Sequence, residues 1–135
     1  ISVAIHCAIK SDNVKFITGD ITKVDLDYSD VFIMNDVLHY LPEKLQVSIT
    51  ELSISKLNDN GLIIIRDANK DMEKRHLGTK ITEFFSTNIG FNKTEFDLEF
   101  VSSRMIEAIA NKHNLKLEII DNTKRTSNLI YILRK

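Results

Sequence analysis

The sequence predicts an α/β domain in which a mostly parallel sheet ends in an antiparallel hairpin, and three observations support this prediction. Two short apolar runs each stop abruptly at polar residues, as strands buried on both faces do: Val31–Met34 and Leu62–Ile65. A helical repeat of apolar residues lies between these two runs. Two more strand patterns follow one another at the end of the chain, as in a hairpin.

The first part of the chain predicts a helix and then a short strand. Residues Ile1–Ile9 show apolar side chains at helical spacing with no capping residue before them, which is typical of the later turns of a helix. A turn at 11–13 follows, and Val14–Ile17 is then predicted to be a strand that ends at Gly19 and Asp20.

The central strand, Val31–Met34, organises the elements that follow it. Asn35 and Asp36 come directly after this strand, and ligands in open α/β sheets bind outside the carboxyl ends of strands. A helix is predicted from Pro42 to Leu57, with its apolar stripe at helical spacing and a strong stop at 58–61. The second buried strand then begins at Leu62.

The remaining elements are less regular. A charged segment at 70–80 is expected to cross the sheet edge before a helix at Ile81–Ile89, and the pattern at 91–100 predicts no single element type. Ser102 and Ser103 are expected to cap a helix that closes near Asn114. The closing strands are predicted at Leu115–Ile120 and Leu129–Leu133.

Composition excludes several classes of protein. The 135 residues correspond to one domain, and 18 basic against 19 acidic side chains, with no long basic run, argue against nucleic-acid binding. The single cysteine, Cys7, cannot form an internal disulfide and shares no ligand spacing with the four histidines, so no metal site is predicted. Without a long apolar run or a signal-peptide pattern, the chain is expected to be cytoplasmic and not to insert into a membrane.

Three segments together resemble one enzyme family. Residues 13–21, 30–41 and 57–65 are similar, in order and spacing, to three successive strand-end motifs of the class I S-adenosylmethionine-dependent methyltransferases, of the small-molecule type 11/12 kind. The closing hairpin matches as well. The resemblance implies a Rossmann-like three-layer sandwich and S-adenosylmethionine as the cofactor.

The beginning of the family pattern has no counterpart in the chain. No Gly-x-Gly is present, and the first two strands of the family fold are missing, so residues 1–135 are expected to be a partial methyltransferase domain, truncated at its amino end. An edge and an apolar face of the central strand would then be exposed. We expect either direct pairing of Val14–Ile17 with Val31–Met34, or coverage by a second copy of the chain or by an upstream domain.

The resemblance also implies cofactor contacts. Asp20 corresponds to the acidic residue that accepts a hydrogen bond from the adenine amino group, with Gly19 forming the turn and Ile21 donating its amide to the ring and packing on it. An ionised carboxylate suits this contact because it only accepts hydrogen bonds. Read without the resemblance, Gly19 and Asp20 are an ordinary turn.

The end of the central strand supplies the other candidates. Met34, Asn35 and Asp36 correspond to the positions that contact the amino-acid part of the cofactor, largely through backbone groups. Their sequence is not Asn-Pro-Pro-Tyr, the signature of methyltransferases that act on the exocyclic amines of nucleic-acid bases.

The candidate substrate pocket consists of His39, Tyr40 and Asp67. His39 is the only candidate general base, since the imidazole pKa lies near the working pH, and a packing role is its alternative. Asp67 ends the second strand, and a solvated surface loop is the alternative for it.

The predicted function is methyl transfer from S-adenosylmethionine to an oxygen or nitrogen atom of a small molecule. Such catalysis depends mainly on holding the nucleophile in line with the methyl group, so the acceptor cannot be read from the sequence. The alternative is a non-catalytic, methyltransferase-like binding or regulatory module. A nucleotide-dependent oxidoreductase is disfavoured because no dinucleotide fingerprint is present.

Overall fold

The computed structural model describes residues 14–75, 98–122 and 127–135. Four strands and two α-helices lie in these ranges, together with two 3₁₀ turns at Leu38–Tyr40 and Lys70–Arg75. In chain order the elements are β1 (Ser29–Asn35), α1 (Glu43–Ser55), β2 (Leu57–Ala68), α2 (Ser103–Lys112), β3 (Lys116–Ile120) and β4 (Asn128–Arg134).

The strands form one mixed sheet with the order β1-β2-β4-β3. β1 and β2 are parallel, as expected for two strands joined by a helical crossover, and β4 lies antiparallel to both β2 and β3. The predicted antiparallel hairpin at the end of the chain is therefore confirmed. The predicted parallel part of the sheet is limited, within the described residues, to the β1–β2 pair.

Both described helices pack on one face of this sheet. Ile63 and Ile65 of β2 are completely buried, as is Tyr131 of β4, because alternate residues of a strand point to the same face. Ile49 of α1 and Ile106 of α2 belong to the same buried cluster. The apolar spacing of the two helices therefore serves one continuous core.

The loop before α2 helps to begin α1. Pro42 is the N-cap residue and makes no side-chain cap, but the Glu99 carboxylate accepts a hydrogen bond from the Glu43 amide at 2.9 Å. Gln46 donates through Nε2 to the carbonyl oxygens of Leu41 and Glu99 at 2.9 and 2.6 Å. These bonds fix residue 99 against the start of the helix that follows the central strand.

The first part of β2 includes residues 58–61, which the sequence predicted to end the preceding helix and to lie before the strand. The pairing with β1 runs from Ser29 opposite Leu57 to Val31 opposite Leu62, so β2 carries extra residues between these two points. Gly61 lies in this irregularity, where an added Cβ would approach the Asp30 carbonyl oxygen to 2.8 Å. A glycine is needed there because the two backbones come too close for any side chain.

Two predictions about the central sheet are wrong. Residues Val14–Ile17 form no strand and are exposed, and they do not pair with β1. Within the described residues no neighbouring strand pairs with this segment, and apolar character alone does not produce a strand. β1 itself is not buried on both faces, because Val31 and Ile33 are 46% and 68% exposed whereas Met34 is in the core.

Other predicted elements agree with the structure or fall outside it. The predicted helix bounds at Pro42–Leu57 and 103–114 match α1 and α2 within two residues. The helices predicted at Ile1–Ile9 and Ile81–Ile89 lie outside the described residues, as do positions 91–97.

Candidate active site

The carboxyl ends of the two parallel strands meet at one edge of the sheet. The register places Asn35 of β1 opposite Arg66 of β2, and the Asp36 amide donates to the Arg66 carbonyl oxygen at 2.8 Å. Asp36 then adopts a left-handed backbone conformation with φ of 52°, which ends the strand. Polar side chains of both strands are thereby brought to the same place.

The Asp36 carboxylate is held at this edge by three side chains. Arg66 donates from Nη1 to Asp36 Oδ2, and Asn35 donates from Nδ2 to the same oxygen at 3.2 Å. Asn128, at the start of β4, donates to Asp36 Oδ1 at 3.4 Å. The Asp36 and Arg66 side chains are 39% and 38% exposed, so this ion pair is partly solvated.

His39 and Asp67 form a buried pair on the other side of β2. The His39 Nδ1 atom lies 2.6 Å from Asp67 Oδ1, and the two residues are 1% and 0% exposed. A carboxylate can only accept here, so Nδ1 carries the proton and Nε2 is the basic nitrogen of the ring. Asp67 therefore determines the tautomer of His39.

Asp67 also anchors the backbone that carries His39. Its Oδ2 atom accepts hydrogen bonds from the Leu38 and His39 amides at 2.9 and 3.4 Å, and its Oδ1 atom accepts one from the Ala68 amide at 2.8 Å. The 3₁₀ turn at Leu38–Tyr40 is thus tied to the end of β2. A solvated surface loop, the alternative for Asp67, is wrong because the side chain is fully buried.

Aromatic rings lie beside His39. The Tyr40 ring centroid is 4.1 Å from that of His39, and the Phe100 centroid is 6.4 Å away. The His39 carbonyl oxygen accepts a hydrogen bond from the Glu99 amide at 2.9 Å. Tyr40 is half-buried, whereas the His39 ring is almost completely buried, its Nε2 atom included.

A second buried polar group continues the edge beyond Asp67. Asn69 donates through Nδ2 to Ser103 Oγ at 2.8 Å and to the Tyr131 hydroxyl at 2.6 Å. Burial raises the pKa of Tyr131, while the hydrogen bonds from Ser103 and Asn69 act in the opposite direction. Ser103 is therefore used to join α2 to the sheet, whereas Ser102 is the N-cap residue without a side-chain cap.

Asp20 lies in a separate exposed turn. Its Oδ1 atom accepts hydrogen bonds from the Thr22 hydroxyl and amide at 2.7 and 3.0 Å, and Lys23 Nζ lies 3.1 Å from Oδ2. These groups lower the pKa of Asp20 to about 2, the Thr22 hydroxyl contributing most. The carboxylate is consequently ionised at neutral pH, and in this form it can only accept hydrogen bonds.

The described residues contain neither a metal-binding cluster nor a membrane-spanning helix. No group of three or more His, Cys, Asp or Glu side chains is arranged there to hold a metal ion. In the same part of the chain, none of the helices has the length and apolar character of a membrane span.

Comparison with known proteins identifies the fold. No protein-family model and no curated protein matches the sequence. Among solved structures, the chain is similar to human N-acetylserotonin methyltransferase in complex with SAM, with a TM-score of 0.66 and 17% identity over 97% of this chain and 36% of that one. It is also similar to magnesium protoporphyrin IX methyltransferase from Synechocystis PCC 6803 with bound SAH, with a TM-score of 0.62 and 14% identity over 99% and 57% of the two chains. The chain has the Rossmann-like fold of the class I SAM-dependent methyltransferases.

The chain matches only part of the length of these structures. The chain spans about a third of the length of the first structures that it matches, such as 33% of an O-methyltransferase family protein from Burkholderia thailandensis. An N-methyltransferase, NodS from Bradyrhizobium japonicum WM9 in complex with S-adenosyl-l-homocysteine, is matched over 52% of its length with a TM-score of 0.54 and 14% identity. At identities of 14–17%, the similarity to these structures is a similarity of fold.

The structure brings some predicted site residues together and leaves others apart. Asn35 and Asp36 lie in one polar cluster, and His39 and Asp67 are in direct contact. Met34 is buried in the core, so only its backbone is suited to contacting a ligand. Gly19, Asp20 and Ile21 lie in the earlier turn, where Ile21 packs against the core, and their predicted contact with adenine stays a prediction.

Sequence reasoning missed one residue and one contact of this edge. Asn128 was not singled out because it lies 92 positions from Asp36, and only the antiparallel pairing of β4 with β2 brings the two together. The His39–Asp67 contact was missed for a similar reason. Its signal in the sequence is that both residues follow strand patterns, and the carboxyl ends of neighbouring parallel strands share one edge.

Proposed function

We propose that this chain is part of a S-adenosylmethionine-dependent methyltransferase that acts on an oxygen or nitrogen atom of a small molecule. The observation that carries the proposal is the His39–Asp67 pair, a buried histidine of defined tautomer at the carboxyl end of the central parallel strands. The fold likeness to methyltransferases supports the same conclusion.

The described residues fit the chemical groups of the cofactor. Asp20 is an ionised acceptor for the adenine amino group, and Ile21 offers an apolar side chain and a backbone amide beside it. The backbone of Met34, Asn35 and Asp36 lies at the strand end, where it is suited to the amino-acid part. S-adenosylmethionine, when bound, supplies an electrophilic methyl group on a positively charged sulfur.

His39 is the proposed general base. Because Asp67 holds the proton on Nδ1, Nε2 is the ring nitrogen that would take the proton lost by an acceptor hydroxyl or amine as it becomes methylated. Nε2 is buried in the described structure, so the residues around it must move before an acceptor can reach it. Asp67 also stabilises the imidazolium that results, since its carboxylate stays in contact with Nδ1. General-base catalysis of this kind contributes about 10²- to 10⁴-fold to a rate.

The burial of His39 favours a second candidate function. The residue is 1% exposed, which is typical of a histidine that packs and stabilises a turn. This burial supports a non-catalytic methyltransferase-like module that binds a partner or regulates. Cofactor binding and the methyl-transfer rate of a His39 variant distinguish the two candidates.

Calorimetric titration with S-adenosylhomocysteine is the first test. It is made on residues 1–135 and, where the polypeptide continues upstream of Ile1, on the longer protein. Binding by either protein supports the methyltransferase, and lack of binding by both overturns it in favour of the non-catalytic module.

The role of His39 is tested in whichever protein binds. His39→Gln is expected to lower kcat by about 10²-fold or more, with S-adenosylhomocysteine affinity retained. His113→Gln, at a half-buried histidine after α2, is the matched control and should leave the rate unchanged. An equal loss of rate and cofactor affinity in His39→Gln would indicate a purely structural histidine.

A further inference from the structure

The chain leaves β1 through a conformation that most residues avoid. Asp36 has a φ of 52°, and among the described residues only Asn60 and Asn114 share such a value without being glycine. Aspartate and asparagine tolerate this left-handed region better than other side chains, but the conformation is still costly. The surrounding structure must therefore hold Asp36 in place.

Two successive side chains of β2 hold the turn from opposite faces. Arg66 contacts the Asp36 carboxylate on one face of the sheet, and Asp67 bonds the Leu38 and His39 amides on the other. This division follows from the alternation of side chains along a strand. The segment from Asp36 to His39 is thus bonded to β2 from both faces of the sheet.

The Asp36 carboxylate is already used within the protein. Asn35 and Arg66 donate to its Oδ2 atom, and Asn128 of β4 donates to Oδ1 at 3.4 Å. Both carboxylate oxygens therefore already accept hydrogen bonds within the protein. The side chain therefore joins three strands, while the backbone of the same residue lies at the proposed cofactor edge.

We propose that Asp36 is a positioning residue. Its carboxylate, held by Arg66 and Asn128, fixes the left-handed turn and thereby the strand-end backbone and His39, and it makes no direct bond to the cofactor. We call the contacts of the Asp36 carboxylate with Arg66 and Asn128 the clamp. The effect of the clamp on cofactor binding rests on the proposed function. The clamp itself is present in the free protein and can be measured without any ligand.

The first test is amide hydrogen exchange of Leu38 and His39 in the free chain, relative to amides of α1. Asp36→Ala removes the clamp and places a less tolerant residue at positive φ, so the relative exchange rate is expected to rise about tenfold or more. Asp36→Gly also removes the clamp but accepts the conformation, and should show a smaller rise. Arg66→Gln should raise exchange as well, because Asp36 loses its charged partner.

Asn114→Ala is the matched control. It places alanine at another left-handed position, with φ of 53°, after α2. It should lower overall stability without a selective effect on the Leu38 and His39 amides. Unchanged relative exchange in both Asp36→Ala and Arg66→Gln would overturn the clamp.

The second test is affinity for S-adenosylhomocysteine. A positioning role predicts that Asp36→Gly binds better than Asp36→Ala, and that Arg66→Gln binds more weakly than the wild type. If Asp36 bonded the cofactor directly, Arg66→Gln would bind S-adenosylhomocysteine more tightly than the wild type, because the Asp36 carboxylate would be released. Asp36→Gly and Asp36→Ala would then lose the same amount of affinity. If no form of the protein binds, the proposed function fails and the exchange experiment still decides on the clamp.

Discussion

Removal of the Asp67 carboxylate should have the largest effect of any single change at the sheet edge. In Asp67→Ala, the Leu38 amide and the His39 Nδ1–H, at 2.9 and 2.6 Å from the carboxylate, lose their acceptor. The weaker bond from the His39 amide, at 3.4 Å, and the bond from the Ala68 amide, at 2.8 Å, are lost as well. All of these donors are in a buried region where water cannot replace Asp67.

The expected loss follows from the number of buried donors left without an acceptor. Each costs about 1–3 kcal/mol, and three of the four lost bonds are short, so we expect a decrease of about 3–9 kcal/mol in the free energy of unfolding. This is a large part of the ~5–15 kcal/mol that stabilises a typical domain. Asp67→Ala should therefore be close to unfolding.

Asp67→Asn should separate stability from proton transfer. The remaining carbonyl oxygen can keep the bonds to the Leu38 and His39 amides if the new amide group faces His39 Nδ1 and Ala68. Only the bond from Ala68 is then lost, for a decrease of about 1–3 kcal/mol. Asparagine would donate to Nδ1, so the proton would move to Nε2 and His39 would no longer be a base there.

Urea denaturation followed by circular dichroism measures the loss of stability. Asp59→Ala is the matched control, because Asp59 is also on β2 but its side chain is 98% exposed. It should change the free energy of unfolding by less than about 0.5 kcal/mol. If Asp67→Ala is as mild as Asp59→Ala, the assignment of Asp67 as the anchor of the turn is refuted.

Two further predictions concern the helices and the open strand. The Lys112 ammonium and then His113 lower the pKa of Glu51, so their contribution is present above the unfolded pKa near 4.5 and is lost as the pH falls through the lower folded value. Glu51→Gln should thus cost about 0.2–1 kcal/mol at pH 7 and nothing at pH 2, by urea denaturation. The exposed Val31 and Ile33 of β1 should cause concentration-dependent association in sedimentation velocity, which Ile33→Lys reduces. A wild-type chain that stays monomeric at high concentration would contradict the second prediction.

The elements with strong local signals were predictable. The helix at Glu43–Ser55 has both an apolar repeat and clear boundaries, and the strand at Leu62–Ile65 has a run of β-branched residues. Val14–Ile17 has a similar apolar run but forms no strand. The difference lies in the neighbours, because a strand needs a partner for its backbone hydrogen bonds and the described sheet ends at β1.

The location of the candidate site was predictable from the sequence, but the contacts between its residues were not. Asn35, Asp36 and His39 follow the central strand in sequence, so the general position of strand-end ligands in α/β sheets was enough to select them. The partners of these residues come from β2 and β4, at Arg66, Asp67 and Asn128. Their identity depends on register, which a sequence of this length does not specify.

The sequence by itself determined the α/β class, the order of the described strands and helices after Ser29, and the strand end where the functional residues lie. These follow from local periodicity and from turn residues, which act over a few positions. Only the tertiary structure decided that Asp67 is buried against His39, that Asp36 is clamped by Arg66 and Asn128, and that one face of β1 is open. Those features depend on which distant segments pack together, and backbone hydrogen bonding and burial decide that for the chain as a whole.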